Sequence, residues 1–485
     1  MCHIVALAAA EVSENPNASQ SLQEFAAVRE QDAEVRGCKI LEKHGLKAPI
    51  AIHHIHLGES KQLKSFPCMK FSSWVRYLLD TGRVPSQLCG CKDMESMSAR
   101  LCEFWKRYER MHASLPIFEM SRNGLVDLRY LIPTFSHTDE GRSLKKQALW
   151  ILSVHGALGR GTRAWIRKGK NETPLRRNGM GLPFVGPTCS NHFMFACMLR
   201  KFFKKFPAAL DNLVEAFADD MQMMLHDGVT SQDGRITIRC YHLGTKGDLP
   251  ALARMGWMEH TFLNCPRASS SKTACKGVCW MCLAGQESDP ASGALAVPFE
   301  DLGGKPRWEA TLGQQSNWSE TPPILKGVPL PEDQHWQFFR TDVWHNFHLG
   351  IGKHYIASTL VSFMETLPSL QPLSMDDRIS WFDGCFKAYC SFKNITPHVA
   401  DISRETICWP QTSVCPVGSW HKGSATTHFM QFLDHFCCQR KDECAEDELL
   451  QALAAWPLMF MNIVCVCVCW WLESPQKDAA LFFTG

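Results

Sequence analysis

The sequence carries almost no net charge. Its 51 lysines and arginines are balanced by 49 aspartates and glutamates, which gives a formal charge of +2 over 485 residues. This balance excludes a protein that is basic throughout, so any contact with nucleic acid must come from local basic stretches. A charged fraction of 21% and a hydrophobic fraction of 45% likewise exclude a disordered chain. At this length we expect two or three folded domains with a large core.

Export signals are also missing. The first residues, MCHIVALAAAEVSENP, lack the basic start and the long apolar segment of a signal peptide. The 23 cysteines show none of the short, regular spacing of a secreted disulfide scaffold. We therefore expect a reducing compartment, in which the cysteines are buried thiols or zinc ligands. No nuclear import run is recognisable, and the sequence favours the nucleus or the cytoplasm over secretion.

The chain is organised around residues 235–282, which begin as a strand and end in a cysteine motif. Ile236, Ile238 and Cys240 alternate with polar residues, which is the period of a β-strand. The strand then breaks at two glycines and is followed at once by Asp248. Leu249 and Pro250 come next, in what we predict to be the first turn of a helix. An acidic residue at the end of a buried strand is well placed to hold a divalent metal ion.

A second acid in a strand context lies upstream. From residue 125 the sequence predicts a strand, a tight segment with aspartate and glycine at 137–141, and a second strand at 148–154. This is the opening hairpin expected of an RNase H-like sheet. Asp139 and Asp248 are therefore the predicted ligands of Mg²⁺ or Mn²⁺, which prefer oxygen ligands supplied by separate strands. For each of them, a structural role as turn former or helix N-cap is the alternative.

Further along, helices are expected at 191–206, 207–226 and 344–366, and a short strand at 337–340. Ser424 is predicted to be the N-cap of a later helix. The predicted fold class is α/β or α+β. We expect an RNase H-like mixed sheet flanked by helices, with a Cys-rich zinc-binding insertion and a helical C-terminal part.

Six segments are expected along the chain. The first three are a partly disordered N-terminal arm (1–50), a helical region (51–124) and the first part of the RNase H-like core (125–283). The last three are an inserted loop region (284–333), the remainder of the core with further helices (334–450) and an apolar tail (451–485). The tail contains a strict Val-Cys repeat at 464–469, which a dinucleotide tract would encode, so we expect a gene-model artefact there. A membrane anchor is the alternative, although Pro457 and Asn462 interrupt the apolar run.

A basic loop at 160–177 contains a single tryptophan. Lysine and arginine side chains suit a phosphate backbone, and the tryptophan is available to stack on a base. The predicted DNA-binding residues are Arg160, Arg163, Trp165, Arg167, Lys168, Lys170, Arg176 and Arg177. A solvated charged loop is the alternative.

Cys279 and Cys282 form a CxxC motif, which is the spacing of a zinc site. Two alternative pairs would complete a four-ligand site, one of imidazoles and one of thiols: His345 with His348, or Cys265 with Cys275. A pair of packed thiols is the alternative to zinc. Asp342, just before the two histidines, is predicted to cap the following helix if it has no ligand role.

The order of these motifs resembles the catalytic region of CACTA/En-Spm-type DDE transposases. The similarity covers residues 125–353 and continues more weakly to 435. Its motifs lie at 137–141, 225–229, 247–251, 279–282 and 342–350. The resemblance implies an RNase H-like fold, two-metal cleavage and joining of DNA strands, and Asp139 and Asp248 as metal ligands. It also implies a dimer or a larger complex, because transposition joins two DNA ends.

The resemblance does not fix a third acidic ligand. Glu365, on the predicted helix 344–366, is the first candidate, and Glu140 is a further one. The segment after Trp420 is the other location. There the residues at 424–426 read Ser-Ala-Thr where an acid is expected, so a copy that uses this position is expected to be inactive.

These motifs and their resemblance to transposases lead to two alternative predictions of function. The first is a transposon-derived DNA-binding protein with a DDE-type nuclease and strand-transferase fold, dependent on Mg²⁺ or Mn²⁺ and containing structural zinc, either active or decayed. The second is a non-catalytic, zinc-containing protein that binds nucleic acid or chromatin. A third carboxylate within metal reach of Asp139 and Asp248 would favour the enzyme. We expect DNA as the partner, no small-molecule cofactor and no membrane.

Overall fold

The structure is a computed structural model that describes residues 2–454 apart from 16, 46–47, 143–146, 162–190, 263–276, 289–292, 302, 315–317, 343, 411–414 and 446. It is a mixed α/β protein in which one mixed sheet is flanked by helices, as the sequence predicts, and a helical region with its own core follows. Among the described residues, no helix is long and apolar enough to cross a membrane. From residue 455 onward the predicted apolar tail lies outside the described residues.

Three helices at the start of the described chain pack against one another: α1 (Cys2–Glu14), α2 (Gln20–Ala26) and α3 (Ala33–Lys43). The hydroxyl of Ser19 caps α2 by accepting a hydrogen bond from the backbone N–H of Leu22. A small apolar cluster around Phe25 lies between the three helices and holds them together.

A short antiparallel strand pair and four helices come next: β1 (His53–Ile55), β2 (Phe66–Cys68), α4 (Phe71–Asp80), α5 (Val84–Leu88), α6 (Met94–Met111) and α7 (Pro116–Arg122). Asp93 and Ser96 form a capping box at the start of α6, which satisfies N–H groups that have no partner within the helix. Trp105 of α6 donates its indole N–H to the carbonyl of Leu131 at 2.9 Å and packs edge-on against Tyr241. These helices therefore share one hydrophobic core with the central sheet.

The central sheet has six strands: β3 (Leu131–Arg142), β4 (Ala148–Gly156), β5 (His192–Leu199), β6 (Val229–Thr230), β7 (Thr237–Gly247) and β8 (Phe339–Thr341). Their order is β5-β4-β3-β7, and both β6 and β8 pair with β7. β3, β4 and β5 form an antiparallel meander, whereas β7 runs parallel to β3, and β8 runs parallel to β7. The three parallel strands thus direct their carboxyl ends to one edge of the sheet.

Two helices, α8 (Arg200–Lys205) and α9 (Ala208–His226), connect the meander to the parallel strands. Phe217 of α9 packs edge-on against Phe195 of β5 and His242 of β7. Asp220, also on α9, is buried and accepts a hydrogen bond from the backbone N–H of Phe71 at 2.6 Å. This carboxylate ties α9 to the start of α4.

A β-bulge at Gly244 determines which side chains of β7 face α9. The register of β7 against β3 slips by one residue there. Gly244 has a φ of +153°, and a Cβ atom on it would lie 2.3 Å from the carbonyl oxygen of Phe338. His242 before the bulge and Thr245 after it both hydrogen-bond to the Ser136 hydroxyl, so the bulge brings residues three apart onto the same face.

The C-terminal region is helical. After α10 (Leu249–Met255), which follows β7, and after β8, the chain forms a π-helical segment (Trp344–Ile351), α11 (Gly352–Thr366), α12 (Met375–Phe392), α13 (Gly423–Gln439) and α14 (Lys441–Cys444). These elements bury a second hydrophobic core, in which Phe436 contacts both Phe363 and Phe382. The strand β8 joins this region to the central sheet.

Three predictions of local structure are wrong. Residues 191–206 form β5 and the short α8 rather than one helix, because a short apolar run fits a strand as well as a helix and β4 is available to pair with it. Residues 137–141 lie within β3, which continues to Arg142 as the partner of β4, rather than in a tight turn. The N-cap of α13 is Lys422 rather than Ser424, because the helix begins two residues earlier, at Gly423. The strand at 148–154 and the helix at 207–226 are confirmed as β4 and α9.

Candidate functional site

Three aspartates form one row across the carboxyl ends of the parallel strands, and we call this the acidic row. The last paired residues are Thr138 with Gly247 on β3 and β7, and Gly247 with Thr341 on β7 and β8. The next residue on each strand is an aspartate: Asp139, Asp248 and Asp342. The backbone N–H of Asp342 also donates to the carbonyl of Gly247 at 3.1 Å. Because paired strands lie about 4.8 Å apart, the acidic row crosses three neighbouring strands at one edge of the sheet.

Asp248 has a structural role within this row. It is the N-cap of α10, and its Oδ1 atom accepts a hydrogen bond from the backbone N–H of Ala251 at 2.9 Å. Pro250, two positions later, suits the first helical turn, as the sequence predicts. The capping alternative is therefore present, but it engages only one oxygen of a carboxylate that has two.

Asp342 is held by a histidine. The Nδ1–H group of His345 donates to Oδ2 of Asp342 at 2.7 Å, and both side chains are about a quarter exposed, at 28% and 23%. His345 lies in the π-helical segment that starts directly after β8. The imidazole predicted to bind zinc is thus engaged with a carboxylate of the acidic row.

A second row of side chains lies behind the aspartates, and we call it the basic row. His137 on β3 pairs in register with Lys246 on β7, and Lys246 pairs with Arg340 on β8. Each of these residues stands two positions before an aspartate of the acidic row. Since side chains alternate along a strand, His137 and Asp139 face the same side of the sheet. Asp342, just past the end of β8, acts through its charge on both His137 and Lys246 and so lies near them.

Lys246 is the central member of the basic row and is mostly buried. Its Nζ atom lies 4.2 Å from the ring centroid of Phe135, in cation–π geometry. Burial lowers the pKa of Lys246 to about 8, although the negative charge of Asp342 opposes this effect. The ammonium group therefore remains largely charged at neutral pH, on the face that carries the acidic row.

Three histidines continue this face toward β4 and β5. The ring centroids of His155 and His192 are 4.7 Å apart, and those of His137 and His192 are 6.5 Å apart. Burial lowers the pKa of all three, and for His137 the carboxylates of Asp342 and Asp139 offset part of the effect. These imidazoles are consequently neutral at physiological pH, and the positive charge of this face resides on Lys246 and Arg340.

The predicted third acids lie away from the acidic row. Glu365 is exposed near the C-terminal end of α11, and the 13 residues that separate it from Gly352 span about 20 Å of helix. Glu140 is adjacent to Asp139 on β3 and therefore points to the opposite face, where it forms an ion pair with Arg200 at 3.2 Å. Asp342 is the carboxylate that the sheet itself places in line with Asp139 and Asp248.

The first turn of α13, which contains residues 424–426, supports the π-helical segment. Thr426 is fully buried, its hydroxyl donates to the carbonyl of His348, and it accepts a hydrogen bond from the indole N–H of Trp420 at 2.8 Å. The Oγ1 atom of Thr427 lies 3.4 Å from Nδ1 of His348. The residues that replace an expected acid thus form a packing contact between α13 and the segment that carries His345.

Cys279 and Cys282 lie in a tight turn after Gly277. The Cys282 thiol hydrogen-bonds to Cys279 and lowers the pKa of the Cys279 thiol, and the backbone N–H of Met281 donates to the same sulfur at 3.4 Å. The predicted additional ligands Cys265 and Cys275 lie outside the described residues. In the part of the chain that is described, no three or more His, Cys, Asp or Glu side chains are already placed to hold a metal ion, so zinc binding at the CxxC stays a prediction.

Most of the predicted DNA-binding loop lies outside the described residues: Arg163, Trp165, Arg167, Lys168, Lys170, Arg176 and Arg177. Arg160 is described and exposed. The residue before it, Gly159, packs against Gly90 so closely that a Cβ atom on Gly90 would lie 2.2 Å from the carbonyl carbon of Gly159. Arg100 also donates a hydrogen bond to the Gly159 carbonyl at 3.2 Å. The chain is therefore held in place just before Arg160, where the predicted DNA-binding loop begins.

From the sequence, Asp342 is predicted to be a helix cap if it has no ligand role, and no role is predicted for Lys246 or His137. For Asp342 a signal existed, since it follows a short predicted strand just as Asp248 follows β7. For Lys246 and His137 no local signal existed, because their common face depends on strand register. Neither protein-family models nor curated protein sequences match the chain.

Proposed function

We propose that the protein is a transposon-derived DNA-binding protein whose sheet is RNase H-like and acts in divalent-metal-dependent phosphoryl transfer on DNA. The observation that carries this proposal is the acidic row, in which Asp139, Asp248 and Asp342 end three neighbouring parallel strands. Asp342 replaces Glu365 as the third acid of the proposal.

The topology supports the RNase H-like part of the proposal. An antiparallel meander of three strands is followed by helices that cross to a strand parallel to the first, and a further parallel strand is added beside it. This is the arrangement expected when the opening hairpin belongs to an RNase H-like sheet. In open α/β sheets the functional site lies at the carboxyl ends of the strands, which is where the acidic row stands.

The oxygen donors of the acidic row are of the type that a hard cation prefers. Within the described residues the three carboxylates are not already gathered around one point. Asp139, Asp248 and Asp342 would hold Mg²⁺ or Mn²⁺, because these ions prefer carboxylate oxygens. Such ions would activate the attacking hydroxyl and stabilise the leaving oxygen of a phosphodiester. The protein's own part is to position the carboxylates: α10 fixes one oxygen of Asp248, and His345 fixes one oxygen of Asp342.

A mutational experiment with nicking of supercoiled plasmid DNA in Mn²⁺ tests the proposal. Asp139→Asn, Asp248→Asn and Asp342→Asn should each reduce the rate by about a hundredfold. Asparagine is a good N-cap, so Asp248→Asn keeps α10 intact and reports on charge alone. Asp219→Asn, on an exposed position of α9, is the matched control and should retain the parent rate. Three variants that all nick DNA like the parent would contradict the proposal.

A non-catalytic, zinc-containing protein that binds nucleic acid or chromatin is the second candidate function. It is favoured by the engagement of Asp342 with His345 and by the interacting thiols of Cys279 and Cys282. Elemental analysis of the purified protein, combined with DNA binding at rising salt, separates the two. Stoichiometric zinc and salt-sensitive binding without nicking in Mg²⁺ or Mn²⁺ would support this second function.

We propose the nucleus as the place of action and a homo-oligomer as the active form, both resting on the transposase-like function. Two DNA ends must be held together for strand joining, which one copy of the site cannot do alone. Light scattering of the protein with and without DNA duplexes tests the oligomer. A monomer that joins two DNA ends would contradict it.

A further inference from the structure

The basic row extends the proposed function to the substrate. We propose that Lys246, with His137 beside it, contacts a phosphate group of the DNA backbone that lies over the acidic row. This inference rests on the proposed function and assigns the residue that would hold the substrate next to the metal ligands.

The register places Lys246 for this role. It lies on the central strand of the three, two residues before Asp248, which corresponds to about 6.6 Å along the strand. His137 flanks it on β3 and Arg340 on β8, so Lys246 is the middle of three basic side chains in line. A phosphate held at the acidic row would therefore meet Lys246 on the same face of the sheet.

The surroundings of Lys246 also favour a ligand. Lys246 and Arg340 lie in register and repel each other, and burial of an ammonium group is unfavourable unless an anion compensates for it. The ring of Phe135 offers a cation–π contact, which is weak compensation. Asp342 supplies one negative charge near Lys246, but a metal ion bound to this carboxylate would neutralise that charge. A phosphate anion would complete the balance once metal occupies the acidic row.

The His137 side of the row fits this assignment. His137 is partly exposed and has the charges of both Asp342 and Asp139 close to it. Its neutral ring can donate one N–H to a phosphate oxygen without adding to the repulsion among the basic side chains. Arg340 is more deeply placed beside Tyr108, and it would act through its charge rather than by direct contact.

The test measures binding of a fluorescein-labelled DNA duplex to the full chain in CaCl₂, whose cation takes the same oxygen ligands as Mg²⁺, over a range of KCl concentrations. The logarithm of affinity falls with the logarithm of salt by about 0.9 for each phosphate contact. Lys246→Gln should reduce this slope by about one and weaken binding about tenfold at low salt. Lys246→Arg, which keeps the charge, should retain most of the slope. Lys387→Gln, at an exposed position of α12, is the matched control and should match the parent.

Folding is monitored in parallel, because Lys246→Gln leaves Phe135 without its cation. Lys246→Met keeps the apolar stem over that ring and serves as a second variant. Both variants must melt cooperatively within a few degrees of the parent for their slopes to count. If Lys246→Gln unfolds the protein, the proposal is tested with Lys246→Met alone. Its salt slope is expected to be lower than that of the parent by the same amount.

The outcomes separate this inference from the proposed function. If the parent nicks DNA and Lys246→Gln has the same salt slope as the parent, the contact by Lys246 is wrong and the proposed function stands. If Lys246→Gln has a reduced salt slope but the parent nicks no DNA with any metal, the contact by Lys246 stands and the proposed enzymatic function is wrong. A parent that binds no duplex at low salt would overturn both. If Lys246→Gln has a reduced salt slope and the parent nicks DNA, the contact by Lys246 and the proposed function are both supported.

Discussion

The imidazole of His345 donates a hydrogen bond to the carboxylate of Asp342 at 2.7 Å, at the point where β8 ends. A histidine in this position fixes the orientation of the carboxylate at the edge of the sheet. The pair joins the central sheet to the π-helical segment, and therefore links the two hydrophobic cores through one polar contact.

Removal of this histidine should weaken metal binding. We predict that His345→Ala lowers the Mn²⁺ affinity of the protein by about tenfold or more, because the freed carboxylate of Asp342 loses its fixed orientation. Isothermal titration with MnCl₂ measures the effect. His354→Ala, at an exposed position of α11, is the control and should bind like the parent. Equal affinities for the parent and His345→Ala would show that this pair has no part in a metal site.

The buried carboxylate of Asp220 should be a major determinant of stability. It accepts hydrogen bonds from the backbone N–H groups of Phe71 and Ser72 and from the Ser72 hydroxyl. Asp220→Ala leaves these donors buried without an acceptor, so we predict a loss of about 2–4 kcal/mol in the free energy of unfolding. Chemical denaturation in urea measures the loss. The neighbouring exposed Asp219→Ala should change stability by less than about 0.5 kcal/mol.

The sequence predicts part of this site because part of its signal is local. Alternating residues, two glycines and a proline surround Asp248, and they correctly indicate a strand followed by a helix that begins at that aspartate. Asp139 is likewise correctly placed beside a strand, although β3 continues past it. In both positions the residues within a few positions of the aspartate decide the local conformation.

The remainder of the site depends on contacts between distant segments. β8 is only three residues long, and its pairing with β7 is what brings Asp342 into line with the other aspartates. The basic row depends on the bulge at Gly244, since without the extra residue Lys246 would face α9 together with His242. No pattern within β7 reveals where a bulge will lie.

The bulge itself can be tested with two glycines of positive φ. A Cβ atom on Gly244 would lie 2.3 Å from the carbonyl oxygen of Phe338, whereas one on Gly234 would meet nothing within 4 Å. We predict that Gly244→Ala lowers the free energy of unfolding by at least about 3 kcal/mol, and that Gly234→Ala lowers it by about 1 kcal/mol, which reflects backbone strain alone. Urea denaturation compares the two. Equal losses would mean that the close approach of β7 to Phe338 contributes nothing to stability.

Acid should destabilise the protein through the histidines beside the basic row. Burial, together with the positive charges of His137 and Lys246, lowers the pKa of His192 from 6.5 to about 4. The unfolded chain therefore takes up this proton first as the pH falls, so the stability that neutral His192 provides above pH 6.5 is lost progressively down to about pH 4. We predict that His192→Gln reduces the difference in unfolding free energy between pH 7 and pH 4 by about 2 kcal/mol, since solvent screens part of the effect. Urea denaturation at pH 7, 5.5 and 4 measures this difference, with the exposed His354→Gln as control. A pH dependence identical to that of the parent would show that His192 takes up its proton equally well in the folded and unfolded chains.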